Sequence, residues 1–418
     1  MSKTPKSTKR LMITIGIISC LGLFAAIRPH FHAGAQSSNK LHRASANAIK
    51  GQYIVVLSDD SDPDVESIRM ARDFGGDRRG GFTYRRAIKG FSVRLTETQA
   101  ARLAEDPRVE FVEEDSEITE AATETNAPWG LDRIDQRDLP LDTSYTYNAT
   151  GTGVTAYIID SGIRATHTEF GGRVTAGFSV LNDGHGTDDC DGHGTHVSGI
   201  VGSATYGVAK NVTLVPVRVL DCSGNGTISG AVAGIDWVTS DHAAGAPAVA
   251  NMSLVGNASR SLDRAVASSI RDGVTYAVAA GNNNLDACNF SPARLANAIT
   301  VGASTNTDAR ASFSNFGTCV DVFAPGTDIT STYNLSDTAI KTISGTSMAS
   351  PQVAGVAALF LETNPGASPA TVSATIISSA TLDHLSNAGT GSPNVLLNSM
   401  LSATPPPCVT LPNGRCKK

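Results

Sequence analysis

From residue 154 onward, short and almost unbroken apolar runs alternate with stretches whose apolar residues recur at three- and four-residue intervals. Val154-Thr155-Ala156-Tyr157-Ile158-Ile159 is the first run, and others occupy 213–219, 248–252, 275–280, 298–303 and 320–324. Runs this short, without polar alternation, read as strands buried on both faces. The stretches 194–202, 229–242 and 262–272 carry helical spacing. Near 346 a string of small residues around Ser347 runs into an Ala/Val/Leu-rich helical pattern. Strands and helices in alternation predict an α/β fold, a doubly wound and mostly parallel sheet with helices on both faces. Sites in such sheets lie outside the carboxyl ends of the strands.

A smaller unit precedes it. Residues 53–57 read as a strand, 64–74 as a helix, 82–86 and 90–95 as paired strands, 97–105 as a helix and 108–112 as a strand. This β-α-β-β-α-β order is the α+β ferredoxin-like arrangement. Residues 119–127 form a polar connector with little to bury, an expected cutting site. At the N-terminus Lys3, Lys6, Lys9 and Arg10 precede an apolar run over 11–27, and Ala33-Gly34-Ala35 offers small residues for cleavage. That order reads as an export signal; the rivals are a membrane anchor of similar length and a lipoprotein box at Cys20. Four segments are therefore expected: a signal peptide over 1–35, the small domain over 36–120, the large domain over 121–403 and a Pro-rich tail over 404–418.

Composition narrows the class. With 418 residues, 17% charged and 6% aromatic, the chain suits a large, closely packed α/β core. A net charge of −6 and the lack of a basic run in its body give no expectation of nucleic acid. Of seven cysteines, Cys20 falls in the leader and six remain, an even number that in an oxidising compartment predicts disulfides of open connectivity. Cys408 and Cys416 bracket a Pro-Asn-Gly turn and could close a terminal loop.

Three stretches carry candidate chemistry. Asp160 ends the first apolar run and is followed by Ser161-Gly162. Asp191-Gly192-His193-Gly194-Thr195-His196 sets a histidine at a helix start. Ser347, in Gly345-Thr346-Ser347-Met348-Ala349, sits where free helix N–H groups point outward. Taken singly these are a turn residue, a zinc-ligand group with Cys190 and His196, and a helix cap. Together they supply a nucleophile, a base and a carboxylate to orient the base. Asn282, after the run 275–280, adds an amide donor for developing negative charge.

These motifs closely resemble the three signatures of subtilisin-like serine proteases (the peptidase S8 family), in the order Asp, His, Ser along the chain. Asn126-Ala127-Pro128-Trp129-Gly130-Leu131, Asn251-Met252-Ser253-Leu254 and Ala279-Ala280-Gly281-Asn282-Asn283-Asn284 resemble the proteinase K and aqualysin branch. The resemblance implies that Ser347 is the nucleophile, His193 the general acid/base, Asp160 its orienting carboxylate and Asn282 an oxyanion donor. It implies a secreted, monomeric endopeptidase for protein and peptide substrates. The small domain resembles the family's inhibitor propeptide, a folding aid and intramolecular inhibitor cut off between Glu120 and Ala122. Substrate would lie as a strand between Ser223-Gly224-Asn225-Gly226 and Ser253-Leu254-Val255-Gly256. Val255 stands where relatives usually carry glycine. Without a charge in either segment, apolar or aromatic side chains are expected before the cut bond.

Structural Ca²⁺ is the implied cofactor. Asp321, expected at a strand end, with the carbonyls of Ala296 and Ala298 matches one site of the family. Asp132, Asp135, Gln136 and Asp142 resemble a second, whose plainer reading is a solvated acidic turn. The resemblance also pairs Cys190 with Cys222 and Cys288 with Cys319, leaving Cys408 for Cys416. A zinc hydrolase built on Cys190, His193 and His196 and a catalytically silent binding protein are the competing classes. An α/β-hydrolase is disfavoured, because Ser347 does not stand in a Gly-x-Ser-x-Gly elbow.

Overall fold

A computed structural model of the chain describes residues 40–43, 48–86, 88–116 and 122–401, with a strand pair at 409–410 and 416–417. The expected signal segment and the Cys408–Cys416 bridge lie outside the described residues. None of the described helices is long and apolar enough to cross a membrane.

The small domain is a five-stranded sheet in the order Leu41–His42, Val109–Ser116, Ala48–Leu57, Gly90–Arg94, Thr83–Tyr84. Helices Pro63–Phe74 and Glu97–Ala104 complete it. Asp62 and Thr96 cap these helices with their side chains, and Gln99 closes a capping box on the second. Tyr53, Val55 and Leu57 alternate onto the face that buries Met70, Leu103 and Val112. Two details differ from the sequence reading. The strand expected over 82–86 contracts to Thr83–Tyr84, with Phe82 exposed. The edge strand Leu41–His42 adds itself in parallel to Val109–Ser116; its two residues are too few to show a period.

The large domain is built on nine strands. Their order is Thr381–Leu382, Val395–Leu396, Val322–Pro325, Ile299–Ser304, Thr275–Ala279, Ala248–Met252, Thr155–Asp160, Thr213–Arg218, Phe178–Ser179. All neighbours run parallel except the outermost pair at 381–396. Side chains alternate between faces. Ala156 and Ile158 pack with Val197, Ile200, Val353 and Val356, from helices His193–Gly202 and Thr346–Thr363. Tyr157 and Ile159 pack with Ile235, Val238 and Val266, from helices Ile228–Asp241 and Arg260–Asp272. Both faces are covered, which is why these strands lack polar alternation.

The chain winds to one side of Thr155–Asp160 through Thr213–Arg218, then crosses to the other through Ala248–Met252. Asp160 therefore ends the strand at which the winding reverses, where crevices form in such sheets. At the domain's start, strand Ala122–Thr125 pairs antiparallel with Ser144–Tyr147. Glu124 in this strand meets Lys210 at 2.6 Å, and the Lys210 ammonium lies over the rings of Tyr145 and Tyr147.

Candidate active site

Asp160 is fully buried at its strand's carboxyl end. Its Oδ1 accepts from the Ser161 N–H at 2.8 Å and lies 2.8 Å from His193 Nδ1, which must carry the proton in a bond to a carboxylate. That leaves His193 Nε2 for proton transfer. Burial lowers the histidine's pKa, but Asp160, aided by Asp191 and Asp189, outweighs it and holds the ring above its ordinary value.

Two glycines let His193 stand there. Gly192 has φ +109°, which turns the chain into the helix. Gly194 lies against the Gly162 carbonyl so closely that a Cβ would come within 2.1 Å of the oxygen. Any side chain at 194 would push the histidine turn off the strand end.

Ser347 sits in the first turn of Thr346–Thr363, a helix buried almost all round. Pro351 has no N–H to give the carbonyl four residues back, which belongs to Ser347. Ser253 Oγ supplies that bond instead, at 2.7 Å. Asn251 donates to Ser253 Oγ and accepts from Ser350 Oγ, so the serine turn is tied to the strand end at 252. Ser347 Oγ donates to the Ser253 carbonyl at 3.1 Å rather than to the imidazole; such bonds often tighten only with substrate in place.

Asn282 Oδ1 accepts from both the N–H and the hydroxyl of Thr346, each at 2.8 Å. This fixes which way the amide faces and leaves Nδ2 on the other side. A Cβ built on Gly345 would stand 3.3 Å from Asn282 Nδ2 and 3.6 Å from Ser347 N. Two donor nitrogens thus border one small space beside Gly345, which a side chain at 345 would enter. An anionic oxygen in that space would meet both.

A cleft of about 590 Å³ runs past His193, walled by Gly224, Asn225 and Gly226 on one side and Ser253, Leu254, Val255 and Gly256 on the other. Ser223 is exposed beside this wall and does not line it. Val255 lines the cleft with its side chain partly exposed.

The cysteines are joined as Cys190–Cys222, S–S 1.98 Å, and Cys288–Cys319, 2.16 Å. The zinc reading fails on this geometry. Cys190 Sγ is bonded to Cys222, His193 is held by Asp160, and His196 Nε2 lies 3.0 Å from the Lys341 carbonyl. Burial pushes the His196 pKa down to about 4, so the ring is neutral. His185 also lies near the Cys190–Cys222 sulfurs, but neither is a free thiolate.

Among the expected metal ligands, Asp321 stands just before strand Val322–Pro325, not at a strand end. It is buried, and its Oδ2 accepts from the Thr300 N–H. Asp132 accepts from the Asp142 and Thr143 N–H groups, and Asp135 Oδ2 from Thr146. Asp135 Oδ1 is buried without a hydrogen-bond partner among the described residues. Burial first, then the charges of Asp142 and Asp132, push the Asp135 pKa up to about 6. Gln136 turns its amide N–H groups to the carbonyls of Asp138 and Pro140.

Three contributors escaped the sequence reading: Thr346, Asp189 and Arg218. Asp189, one carboxylate in an acidic loop, accepts at both oxygens around the histidine turn. Arg218 is an arginine at the end of an apolar run, fully buried in the structure, where an unpaired charge would be costly. That misfit is the one available signal.

Comparison with known proteins places these features. A profile of the Subtilase family matches residues 151–396, and one of Peptidase inhibitor I9 matches 52–120. An extracellular serine proteinase of Thermus sp. (strain Rt41A) is 49% identical over 384 residues, 87% of this chain and 93% of that protein. The alkaline serine exoprotease A of Vibrio alginolyticus is 49% identical, covering 85% of this chain and 68% of its own. The crystal structure of a cold adapted subtilisin-like serine proteinase is 52% identical, with TM-score 0.64, and covers 66% of this chain and all of that one.

Proposed function

The chain belongs to the subtilase family of serine proteases, and from that footing we propose that it is a secreted endopeptidase, made as a self-cleaving precursor, whose acyl-enzyme forms on Ser347. The single observation that carries this reading is the 2.8 Å couple of Asp160 and His193 at the head of the cleft. Once Ser347 Oγ turns from the Ser253 carbonyl to His193 Nε2, the imidazole takes its proton and the oxygen attacks a peptide carbonyl. Asp160 steadies the resulting imidazolium, and Asn282 Nδ2 with the Ser347 N–H receives the oxyanion. His193 then gives the proton to the leaving amine, and water repeats the sequence to free the enzyme.

Substrate pairs as a strand with Gly224–Gly226 and Ser253–Gly256, the residue before the cut bond facing Val255. These walls hold no charge, which supports an apolar or aromatic preference there. The inhibitor-like domain acts as folding aid and intramolecular inhibitor until cleavage near Glu120 to Ala122. Export is supported by the signal pattern and by the extracellular relative.

A fluorophosphonate should abolish peptide hydrolysis and leave its label on the tryptic peptide that contains Ser347. A zinc chelator should leave turnover unchanged. Label on another residue, or activity lost to the zinc chelator alone, would sink the assignment.

Subtilisin-like proteases commonly bind calcium, and the Asp132–Asp135–Asp142 turn fits such an ion: it offers hard oxygens, one of them buried without a donor. Asp321, with the carbonyls of Ala296 and Ala298, would hold a second. Bound calcium would supply charge neutralisation and so stability, not chemistry. In its absence Asp135 binds its proton more tightly folded than unfolded, with a pKa of about 6 against an ordinary 3.8. The stability this gives is fully present below the unfolded value and lost as pH rises through about 6. Chelation should therefore lower Tm by several degrees more at pH 8 than at pH 5, and Asp135→Asn should shrink that difference. Equal Tm with and without chelator at pH 8 would refute calcium at this turn.

A further inference from the structure

Ser161, the residue after Asp160, is gripped from two sides. Its carbonyl accepts from Arg218 Nε at 3.1 Å, and its hydroxyl donates to Asp189 Oδ1 at 2.9 Å. Asp189 is buried and also takes the N–H groups of Asp191 and Gly192 on Oδ1. Its Oδ2 takes the N–H and hydroxyl of Thr195, at 2.8 and 2.6 Å. Burial pushes the Asp189 pKa up, and these donors work against it by stabilising the carboxylate. Arg218 meanwhile forks onto Asp183 at 2.7 and 2.6 Å, reaches the Gly186 carbonyl, and touches Cys190 Sγ at 3.2 Å. Between them the two residues span the loop leading to His193 and fasten both its ends to the residue beside Asp160.

We propose that Asp189 is a positioning residue for the Asp160–His193 couple, acting with Arg218 through Ser161, and that its buried charge favours the imidazolium form of His193. This rests on the proteolytic reading above and adds a second carboxylate to it. Asp189 touches neither substrate nor the reacting atoms; it acts by holding the turn 191–195 and by its field in a site that solvent screens poorly. The direction agrees with the His193 pKa, which Asp189 raises along with Asp160 and Asp191. The other groups facing the ring do not compete. His196 on the same helix is neutral, and Lys341 on the packed hairpin Ile329–Thr332/Ile340–Ile343 turns its ammonium to the Tyr333 hydroxyl. Arg164 is paired with Asp337, and Arg218 with Asp183.

The test is the pH profile of peptide hydrolysis by purified mature enzyme, per titrated active site, for the wild type, Asp189→Asn and Ser161→Ala. Asp189→Asn keeps the shape but sets an amide N–H against the Thr195 N–H. It should lower kcat about 10–100-fold with KM changed less than about threefold. The acid limb of kcat should move down by roughly half a unit to one unit. Ser161→Ala removes the hydroxyl that donates to Asp189 and accepts the Gly194 N–H, and keeps the charge; it should lower kcat several-fold with the limb nearly in place. If Asp189→Asn does not fold, Ser161→Ala with Arg218→Lys carries the test on kcat. Variants that lose only Tm or yield, while each active site keeps the wild-type kcat and acid limb, would show a purely structural role and overturn the proposal. An inactive wild type would instead strike the proteolytic reading itself.

Discussion

Ser347→Ala is expected to accumulate as an uncut precursor, while the wild type yields a mature chain beginning near Ala121 or Ala122. Residual peptide hydrolysis should fall by about 10⁶-fold, the size known from a subtilisin itself. The reason is local. Ser347 offers its hydroxyl at the head of a buried helix, where Ser253 holds the carbonyl that Pro351 leaves without a donor. Alanine keeps that carbonyl, the helix and the packing, so the substitution removes the nucleophile and little else. The measurement is intact mass and N-terminal sequence of both proteins, prepared side by side. Identical processing of the two would assign maturation to another protease and leave Ser347 to be judged by hydrolysis alone.

Asn282→Ala should cost about 10²–10³-fold in kcat with little change in KM, a range again taken from subtilisin. Asn282 is exposed, and Thr346 holds its amide oxygen, so the direction of its donor is fixed before substrate arrives. Removing it leaves Thr346 two unmet bonds in addition to the lost donor. Maturation of Asn282→Ala should slow in proportion, visible as a lingering precursor. A variant that turns over within threefold of wild type would mean that Asn282 does not receive the oxyanion.

The candidate catalytic residues were easier to pick out in the sequence than those that hold them in place. Asp160 and Asn282 follow apolar runs whose ends the sequence marks, and Ser347 precedes a helical pattern with a sharp start. Their partners left no such trace. Thr346 looks like any cap residue, and its bonds to Asn282 join positions 64 residues apart. Arg218 and Asp183 pair 35 residues apart, a buried arginine reaching a carboxylate on an exposed loop, and no local pattern links the two. Asp321 was misplaced for a related reason. The apolar stretch around it spans a loop and a strand, and hydrophobicity alone does not say where one becomes the other. Among the strands, those covered on both faces were found to within two residues, whereas Phe178–Ser179, Thr381–Leu382 and Val395–Leu396 are too short to carry a period.

Strand Ala122–Thr125, with Glu124 on Lys210, lies directly downstream of the bond expected to break. Severing the chain there frees the upstream piece alone; the new terminus is already woven into the body that keeps it. An aminopeptidase would find no loose thread to pull. It would first have to unzip a strand and part a largely shielded ion pair seated on two tyrosine rings, so the ageing of the finished enzyme should begin elsewhere.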